Sequence, residues 1–350
     1  MVHEISYRDR ALRGWLIAAA ISVAATIAVG GATRLTESGL SITEWKPVTG
    51  VLPPMSAPAW RKAYEQYQLI PEARTVHAGI TLAQFQSLYW WEWAHRLAGR
   101  LVGIVVALPF LFFWRRGWIS RALFPRLLSL PLLVGAQGAL GWYMVRSGLA
   151  DRTSVSPYRL VAHLSLALLI FGIAVWTAAA LGRSGEGRVR APGTVRPLLF
   201  LLMAAVVLTM MSGGFVAGLD AGRIFNEFPL MGGRLVPIGY NAGTGLRNLF
   251  ENPIAAQFNH RLLAVVLALS IWGVWLVSER RWTANVRRWM RLVAIAALIQ
   301  VSLGIATLLL ATPVAIATTH QLGAVALLTL LLLAGAEATD AQARSQKPEA

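Results

Sequence analysis

Long apolar segments alternate with short polar ones along nearly the whole chain. Eight of these segments are each long enough to cross about 30 Å of hydrocarbon as an α-helix. They cover residues 14–33, 95–114, 124–145, 159–181, 197–218, 259–278, 291–311 and 314–335. The last two form one almost unbroken stretch, and we expect the helix to break at Thr312-Pro313. The pattern therefore predicts an all-α polytopic membrane protein with eight transmembrane helices.

The composition agrees with a membrane protein. Of the 350 residues, 56% are hydrophobic and 14% are charged, whereas a soluble domain carries roughly 25% charged residues. The chain has no cysteine, which excludes disulfides, thiolate metal sites and cysteine nucleophiles. The net charge of +16 could indicate nucleic acid, but the arginines lie in short clusters between apolar segments. That distribution is typical of membrane topology, so we expect no nucleic-acid partner and take the lipid bilayer as the surroundings.

The clusters of Lys and Arg also predict the orientation. They are densest in the short loops 115–126, 183–196 and 280–291, which lie on one side of the membrane. Short cationic loops stay in the cytoplasm, so both termini are predicted to be cytoplasmic. The two long loops, residues 34–94 and 219–257, are then predicted to face outward.

The two halves of the chain resemble each other. The second apolar segment opens with Trp93-Ala94-His95-Arg96-Leu97, and the sixth opens with Phe258-Asn259-His260-Arg261-Leu262. Because each half contains an even number of crossings, the halves run in the same direction. We predict two pseudo-symmetric four-helix bundles, residues 1–190 and 191–336, followed by a polar cytoplasmic tail at 337–350.

Four histidines are predicted in the first turns of the even-numbered helices, at one depth near the outer face. They are His95 and His163 in the first half and His260 and His320 in the second. One such histidine would be explained as an interfacial polar residue, but four at matching positions favour metal ligation, because intramembrane ionisable groups are costly. Zinc needs three or four ligands per site, whereas haem iron needs only axial ligands and an apolar slot between helices. Each half is therefore predicted to hold one haem.

Three arginines lie close to histidines of this set along the chain. Arg96, Arg100 and Arg261 are candidates for ion pairs with haem propionates, because guanidinium groups bind carboxylates in bidentate fashion. Membrane topology and snorkelling at the interface explain these arginines almost as well.

The residues that precede the histidines differ between the halves. Glu92 lies three positions before His95, and Gln257 lies three positions before His260, so each shares a helix face with its histidine. A carboxylate can take up a proton or stabilise positive charge and an amide cannot, which suggests chemistry in the first half alone. An ordinary interfacial acid beside the tryptophans that flank Glu92 is an equally good explanation at this stage.

Two other classes of function compete with a haem enzyme. A non-catalytic di-haem electron carrier usually has one haem near each membrane face, whereas all four histidines are predicted near one face. A transporter with a histidine proton relay would need broken helices and acids within the membrane, and the apolar segments provide neither.

Several long motifs lie in and beside the two outer loops. Those of the first half are Gly30-Gly31-Ala32-Thr33-Arg34-Leu35-Thr36, Ser38-Gly39-Leu40-Ser41-Ile42, Trp45-Lys46-Pro47, Gly50, Pro53-Pro54 and Glu92-Trp93-Ala94-His95-Arg96. Those of the second half are Asn226-Glu227-Phe228-Pro229-Leu230-Met231-Gly232-Gly233, Glu251-Asn252 and Gln257-Phe258-Asn259-His260-Arg261. Over residues 14–335 the chain thereby resembles the heme A synthase family, whose Glu-x-x-His-Arg motif matches Glu92 to Arg96. Glu227 is a small departure, since many relatives carry a small polar residue there.

This resemblance implies an oxidoreductase that converts the C8 methyl group of heme O into the formyl group of heme A for terminal oxidases. It implies that His95 and His163 hold the substrate heme O, and that His260 and His320 hold a resident heme b. Glu92 matches the family's catalytic glutamate. Because the chain has no cysteine pair, it resembles the cysteine-free branch of the family, which is similar to the mitochondrial and related bacterial enzymes.

The resemblance also implies where the protein works and with what. We expect a multi-pass protein of the cell (inner) membrane with its haem sites near the outer face. Heme O synthase and the assembly of the terminal oxidase are the expected partners, together with an electron partner that the sequence does not identify.

Overall fold

The computed structural model describes residues 6–46, 49–151, 153–182 and 195–343, and within these ranges the chain is helical and forms no strand. The α-helices are α1 (Tyr7–Leu35), α2 (Ala57–Gln68), α3 (Pro71–Thr75), α4 (Leu82–Arg115), α5 (Phe124–Asp151), α6 (Pro157–Leu181), α7 (Val195–Gly218), α8 (Arg247–Glu251), α9 (Pro253–Arg281), α10 (Ala284–Leu309) and α11 (Val314–Ala343). All except α2, α3 and α8 are long and apolar enough to cross a membrane, so the predicted set of eight spans is confirmed.

The end of α10 and the start of α11 lie where the sequence predicts a break. Ala311 and Thr312 adopt left-handed backbone angles, with φ of 56° and 61°, and Pro313 precedes α11. The helix then continues to Ala343, so the first residues of the predicted polar tail at 337–350 are helical. Residues 344–350 and the predicted boundary between the halves at residue 190 lie outside the described ranges.

Helix α4 begins further ahead of its predicted apolar segment than any other of the eight long helices. Thr81 and Gln84 form a capping box at the start of α4, so His95 lies in about the fourth turn of its helix. The other three histidines lie in about the second turn of α6, α9 and α11. The prediction of first-turn positions is therefore wrong, by about one turn for three histidines and by about three turns for His95, because α4 projects beyond the apolar segment into the outer loop.

The eight long helices pack as two groups of four. In the first group α1 packs against α4 and α6, and α5 packs against the same two helices. In the second group α7 packs against α9 and α11, and α10 does so as well. The groups meet where α1 contacts α11 and where α6 contacts α7 and α11.

Adjacent glycines near the ends of α1 and α7 allow this approach. A Cβ atom on Gly31 would lie 1.8 Å from Oε1 of Gln321 on α11, and one on Gly214 would lie 2.9 Å from Val161 on α6. Nε2 of Gln321 donates a hydrogen bond of 3.1 Å to the carbonyl oxygen of Ile27. Small residues thus bring the two halves into contact, as is common between membrane helices.

A short helical cap covers the projecting start of α4. Trp60 and Tyr64 of α2 pack against Phe85 and Tyr89 of α4, with ring centroids 4.9 to 6.5 Å apart. The aromatic face of α2 is therefore directed at the protein, where it buries apolar area beside the outer end of the first half.

A buried carboxyl lies within this cap. Glu72 is 4% exposed, and the Tyr67 hydroxyl lies 3.5 Å from its Oε2 and 2.6 Å from Nδ1 of His77. Burial raises the pKa of Glu72 to about 8, and repulsion from Glu92 and Glu37 adds to the effect.

We expect Gly31→Ala to destabilise the contact between the halves by about 1 kcal/mol, because the Gln321 amide must move away and lose its hydrogen bond to Ile27. Thermal unfolding in detergent measures the effect. Gly14→Ala on the same helix meets no atom within 4 Å and serves as the control. The added Cβ should cost nothing in a Gln321→Ala background, and an equal cost there would contradict this account.

We expect stability to fall as the pH rises from about 4.5 to about 8. Between these values Glu72 is protonated in the folded protein and ionised in the unfolded chain, so folding takes up a proton and becomes less favourable as protons become scarcer. The loss is a few kcal/mol at most, since one unit of pKa corresponds to about 1.4 kcal/mol. Unfolding temperatures at pH 5 and pH 8.5 should differ less for Glu72→Gln than for wild type. Glu65→Gln, on the exposed side of α2, should retain the wild-type difference.

Candidate functional site

The two histidines of the first half face each other across the bundle. The ring centroids of His95 on α4 and His163 on α6 are 6.5 Å apart, and the ring planes are inclined by 71°. Two imidazoles on opposite sides of one metal ion, each bound through a nitrogen at about 2 Å, have ring centres roughly 6 Å apart. The pair therefore has the spacing that two axial ligands of a single haem iron require.

Each of the four histidine rings rests against a glycine of the neighbouring helix. A Cβ atom at that glycine would lie 2.7 to 3.0 Å from Cε1 of the ring, closer than ordinary packing allows. The pairs are Gly30 with His95, Gly141 with His163, Gly213 with His260, and Gly304 with His320. The missing side chain thus provides the space in which the ring lies, and the same solution occurs at all four positions.

Two glutamines hold the backbone of one histidine in each half. Nε2 of Gln137 donates to the carbonyl oxygen of His163 at 3.0 Å, and Nε2 of Gln300 donates to that of His320 at 2.9 Å. Both glutamines precede the supporting glycine of the same helix by four residues. The repeated Gln-x-x-x-Gly spacing in α5 and α10 is the signal by which sequence reasoning could have found these residues.

The Nδ1 atoms of the four imidazoles differ in their hydrogen bonds. Nδ1 of His260 lies 2.8 Å from the Ser212 hydroxyl of α7. Nδ1 of His95, His163 and His320 is buried and forms no hydrogen bond of good geometry within the described residues. The backbone carbonyl oxygens of Thr26 and Gln300 lie near the rings of His95 and His320.

Glu92 lies inside the protein on the face that carries His95. It is 2% exposed, whereas its neighbour Trp90 is 44% exposed, so the description as an interfacial acid does not fit its position. Its carboxylate accepts hydrogen bonds from the Ser41 hydroxyl at 2.8 Å and from the backbone N–H of Ile42 at 2.7 Å. The first outer loop is thereby fastened to α4 beside the histidine pair.

Arg96 completes this attachment. Its guanidinium group forms an ion pair of 2.6 Å with Glu92 and donates to the carbonyl oxygens of Ile42 and Glu44. Every hydrogen bond described at the two carboxylate oxygens of Glu92 is therefore donated to it, by the loop or by Arg96.

The second half repeats the attachment with an amide in place of the carboxylate. Nε2 of Gln257 donates to the carbonyl oxygen of Phe225 at 3.0 Å, and Arg261 donates to the same oxygen at 2.7 Å. Arg261 also binds the carbonyl oxygen of Glu227 at 2.8 Å. Both halves thus use the arginine after the histidine to hold an outer loop, which the sequence alone does not reveal.

A cavity of about 330 Å³ lies beside Arg96. Its walls include Trp45 of the first outer loop and Trp142 of α5, together with a second guanidinium group, that of Arg146. The guanidinium of Arg146 lies 5.3 Å from the centre of the Trp142 ring. Thr43 and Glu44 add a hydroxyl and a carboxylate to the lining. The two guanidinium groups beside aromatic and apolar walls suit the carboxylate end of a largely apolar ligand.

Similarity to known proteins covers nearly the whole chain. Residues 13–332 match the COX15-CtaA family, which is described as "Cytochrome oxidase assembly protein". The chain is 42% identical over 341 residues to the heme A synthase of Maricaulis maris, covering 95% of this chain and 98% of that protein. It is 46% identical over 330 residues to the heme A synthase of Paracoccus denitrificans, covering 93% and 87% of the two chains.

A third relative, the heme A synthase of Bradyrhizobium sp. strain ORS 278, is 46% identical over 327 residues, covering 92% of this chain and 90% of that protein. The family match spans both outer loops and the positions of all four histidines, and together with these relatives it confirms the resemblance that the motifs indicated. The chain belongs to the COX15-CtaA family of cytochrome oxidase assembly proteins.

Proposed function

We propose that this protein is a heme A synthase, an oxidoreductase that converts the C8 methyl group of heme O into the formyl group of heme A. The names of its relatives support the reaction, and the buried Glu92 beside a histidine pair is the observation that carries it here. Electron transfer between two haems does not require a carboxylate (Glu92) in one half and an amide (Gln257) at the matching place in the other. The asymmetry therefore favours an enzyme over the non-catalytic di-haem alternative.

The two halves hold different haems in this proposal. His95 and His163 bind the substrate heme O, and their ring spacing of 6.5 Å supports a shared iron. His260 and His320 bind a resident heme b, supported by the glycine that makes room for each ring. When bound, heme b supplies an iron centre that can pass single electrons.

Glu92 is the catalytic residue of the proposed reaction. Oxidising a methyl group withdraws electrons from its carbon, so positive charge or a released proton must be accommodated nearby. The carboxylate is held in one place by Ser41, Ile42 and Arg96, and it can stabilise that charge or take that proton without reorganising. Gln257 cannot do either, which assigns the chemistry to the first half.

The role of Arg96 and Arg261 in binding haem propionates stays a prediction. The position of Arg96 in the wall of the cavity, close to Arg146, supports a contact with a carboxylate in the first half. Arg261 donates to loop carbonyl oxygens, so in the second half we propose that it acts through the loop it holds.

We further propose the setting that the sequence predicts. The density of cationic residues in the short loops supports cytoplasmic termini and haem sites near the outer face of the cell (inner) membrane. Heme O synthase and the assembling terminal oxidase remain the proposed partners, because the first supplies the substrate and the second consumes the product.

We expect Glu92→Gln to reduce heme A formation at least a hundredfold while leaving haem binding largely intact, since the amide keeps the shape but loses the charge. The measurement is extraction and chromatography of the hemes that copurify with each variant. Heme O should accumulate in Glu92→Gln, whereas the exposed Glu65→Gln should yield the wild-type pattern. Wild-type heme A from Glu92→Gln would contradict the catalytic role, and heme B alone in the wild type would favour an electron carrier.

We expect Gly141→Val to remove most of the haem from the first half, because the added side chain occupies the place of the His163 ring. A Cβ atom on Gly138 of the same helix meets no atom within 4 Å, so Gly138→Val should retain full occupancy. Haem per chain, measured by a pyridine haemochrome assay, should fall toward half of its wild-type value in the first variant alone. Equal haem contents would show that this glycine is not needed for ligation.

A further inference from the structure

We propose that Ser212 is a positioning residue that fixes His260 in the protonation form needed to bind iron, and that Val29, at the matching place in the first half, leaves His95 without this support. The two otherwise similar haem sites would then differ in how firmly they hold their haem. This inference rests on the proposed function, because it takes both sites to bind haem.

The Ser212 hydroxyl is placed to support the form of His260 that binds iron. The hydroxyl oxygen lies 2.8 Å from the carbonyl oxygen of Thr209 and 2.8 Å from Nδ1 of His260. When Nε2 binds a metal ion, Nδ1 carries the ring hydrogen and donates it to the Ser212 oxygen. The hydroxyl hydrogen of Ser212 then points to the Thr209 carbonyl oxygen, which can only accept. Ser212 therefore supports the form in which imidazole binds a metal ion.

The same place in the first half has no hydroxyl. Gly30 of α1 and Gly213 of α7 occupy equivalent positions, because each supports the ring of the first histidine in its half. The residue before the glycine is Ser212 in α7 and Val29 in α1. A valine side chain can neither donate nor accept a hydrogen bond, so the side chain at this place offers Nδ1 of His95 no partner. A backbone carbonyl oxygen lies near each ring, that of Thr26 at His95 and that of Thr209 at His260, so the contrast rests on the Ser212 hydroxyl.

A hydrogen bond at Nδ1 of an imidazole strengthens Nε2 as a metal ligand. An imidazole that donates from Nδ1 is more basic at Nε2 and is held in a single orientation, and loss of such a partner typically lowers metal affinity 10- to 100-fold. The site with Ser212 is therefore suited to a haem that stays. The site with Val29 is suited to a haem that must enter as substrate and leave as product.

The decisive measurement is the rate at which haem leaves each variant for an excess of apomyoglobin in detergent. We expect Ser212→Val to lose heme B roughly 10- to 100-fold faster than wild type and to show a higher reduction potential, since a weaker donor stabilises ferric iron less. Ser212→Thr retains a hydroxyl and should behave as wild type. Ser270→Val, which removes an exposed hydroxyl from the same helix as His260, should also leave the rate unchanged.

The reciprocal variant provides an independent test. Val29→Ser should slow the departure of haem from the first half several-fold, while heme B in the second half is released at the wild-type rate. Unchanged rates in both Ser212→Val and Val29→Ser would overturn the inference. A full haem content in His260→Ala would contradict the proposed haem site itself. Faster loss of heme B from Ser212→Val, combined with a wild type that forms no heme A, would contradict only the proposed reaction.

Discussion

Close approach of helix backbones at four glycines is the constraint on which the rest of the structure depends. A polar imidazole is costly inside an apolar bundle unless it has both space and a ligand, and the missing Cβ on the neighbouring helix provides the space. On α1 the requirement is doubled, because Gly30 makes room for His95 while Gly31 makes room for Gln321 of the other half. The helix that shapes the first site thus also joins the two halves, so a displacement of α1 would disturb both.

The outer loops are parts of the sites and do not merely connect helices. Arg96 and Arg261 each reach back from a helix to backbone carbonyl oxygens of the loop before it, which fixes the loop over the outer end of its bundle. Leu40 of the first loop lies so close to α5 that a Cβ atom on Gly148 would be 2.8 Å from it. Long motifs in a loop are the expected result when many backbone positions must be held over a ligand.

The sequence predicted the eight crossings, the break before α11 and the pairing of His95 with His163. It missed those that depend on packing. The start of α4 at Leu82 has no continuous apolar run, and it is helical because of the cap at Thr81 and the aromatic contacts with α2. Gly141 and Gly304 were overlooked because a glycine in an apolar helix is common, and only its neighbour shows what it does.

Comparing the two halves of the repeat shows which residues are shared by both and which occur in one half alone. The glycines, the histidines and the arginines that hold the loops occur in both halves, as the proposal of one haem in each half requires. The differences lie at few places: Glu92 stands opposite Gln257, and Ser212 opposite Val29. In the proposed function, one difference places a reactive group in the first half, and the other strengthens a proposed haem ligand in the second. Since both contrasts fit the proposed turnover in the first half and retention in the second, the proposed division of work needs no difference in fold.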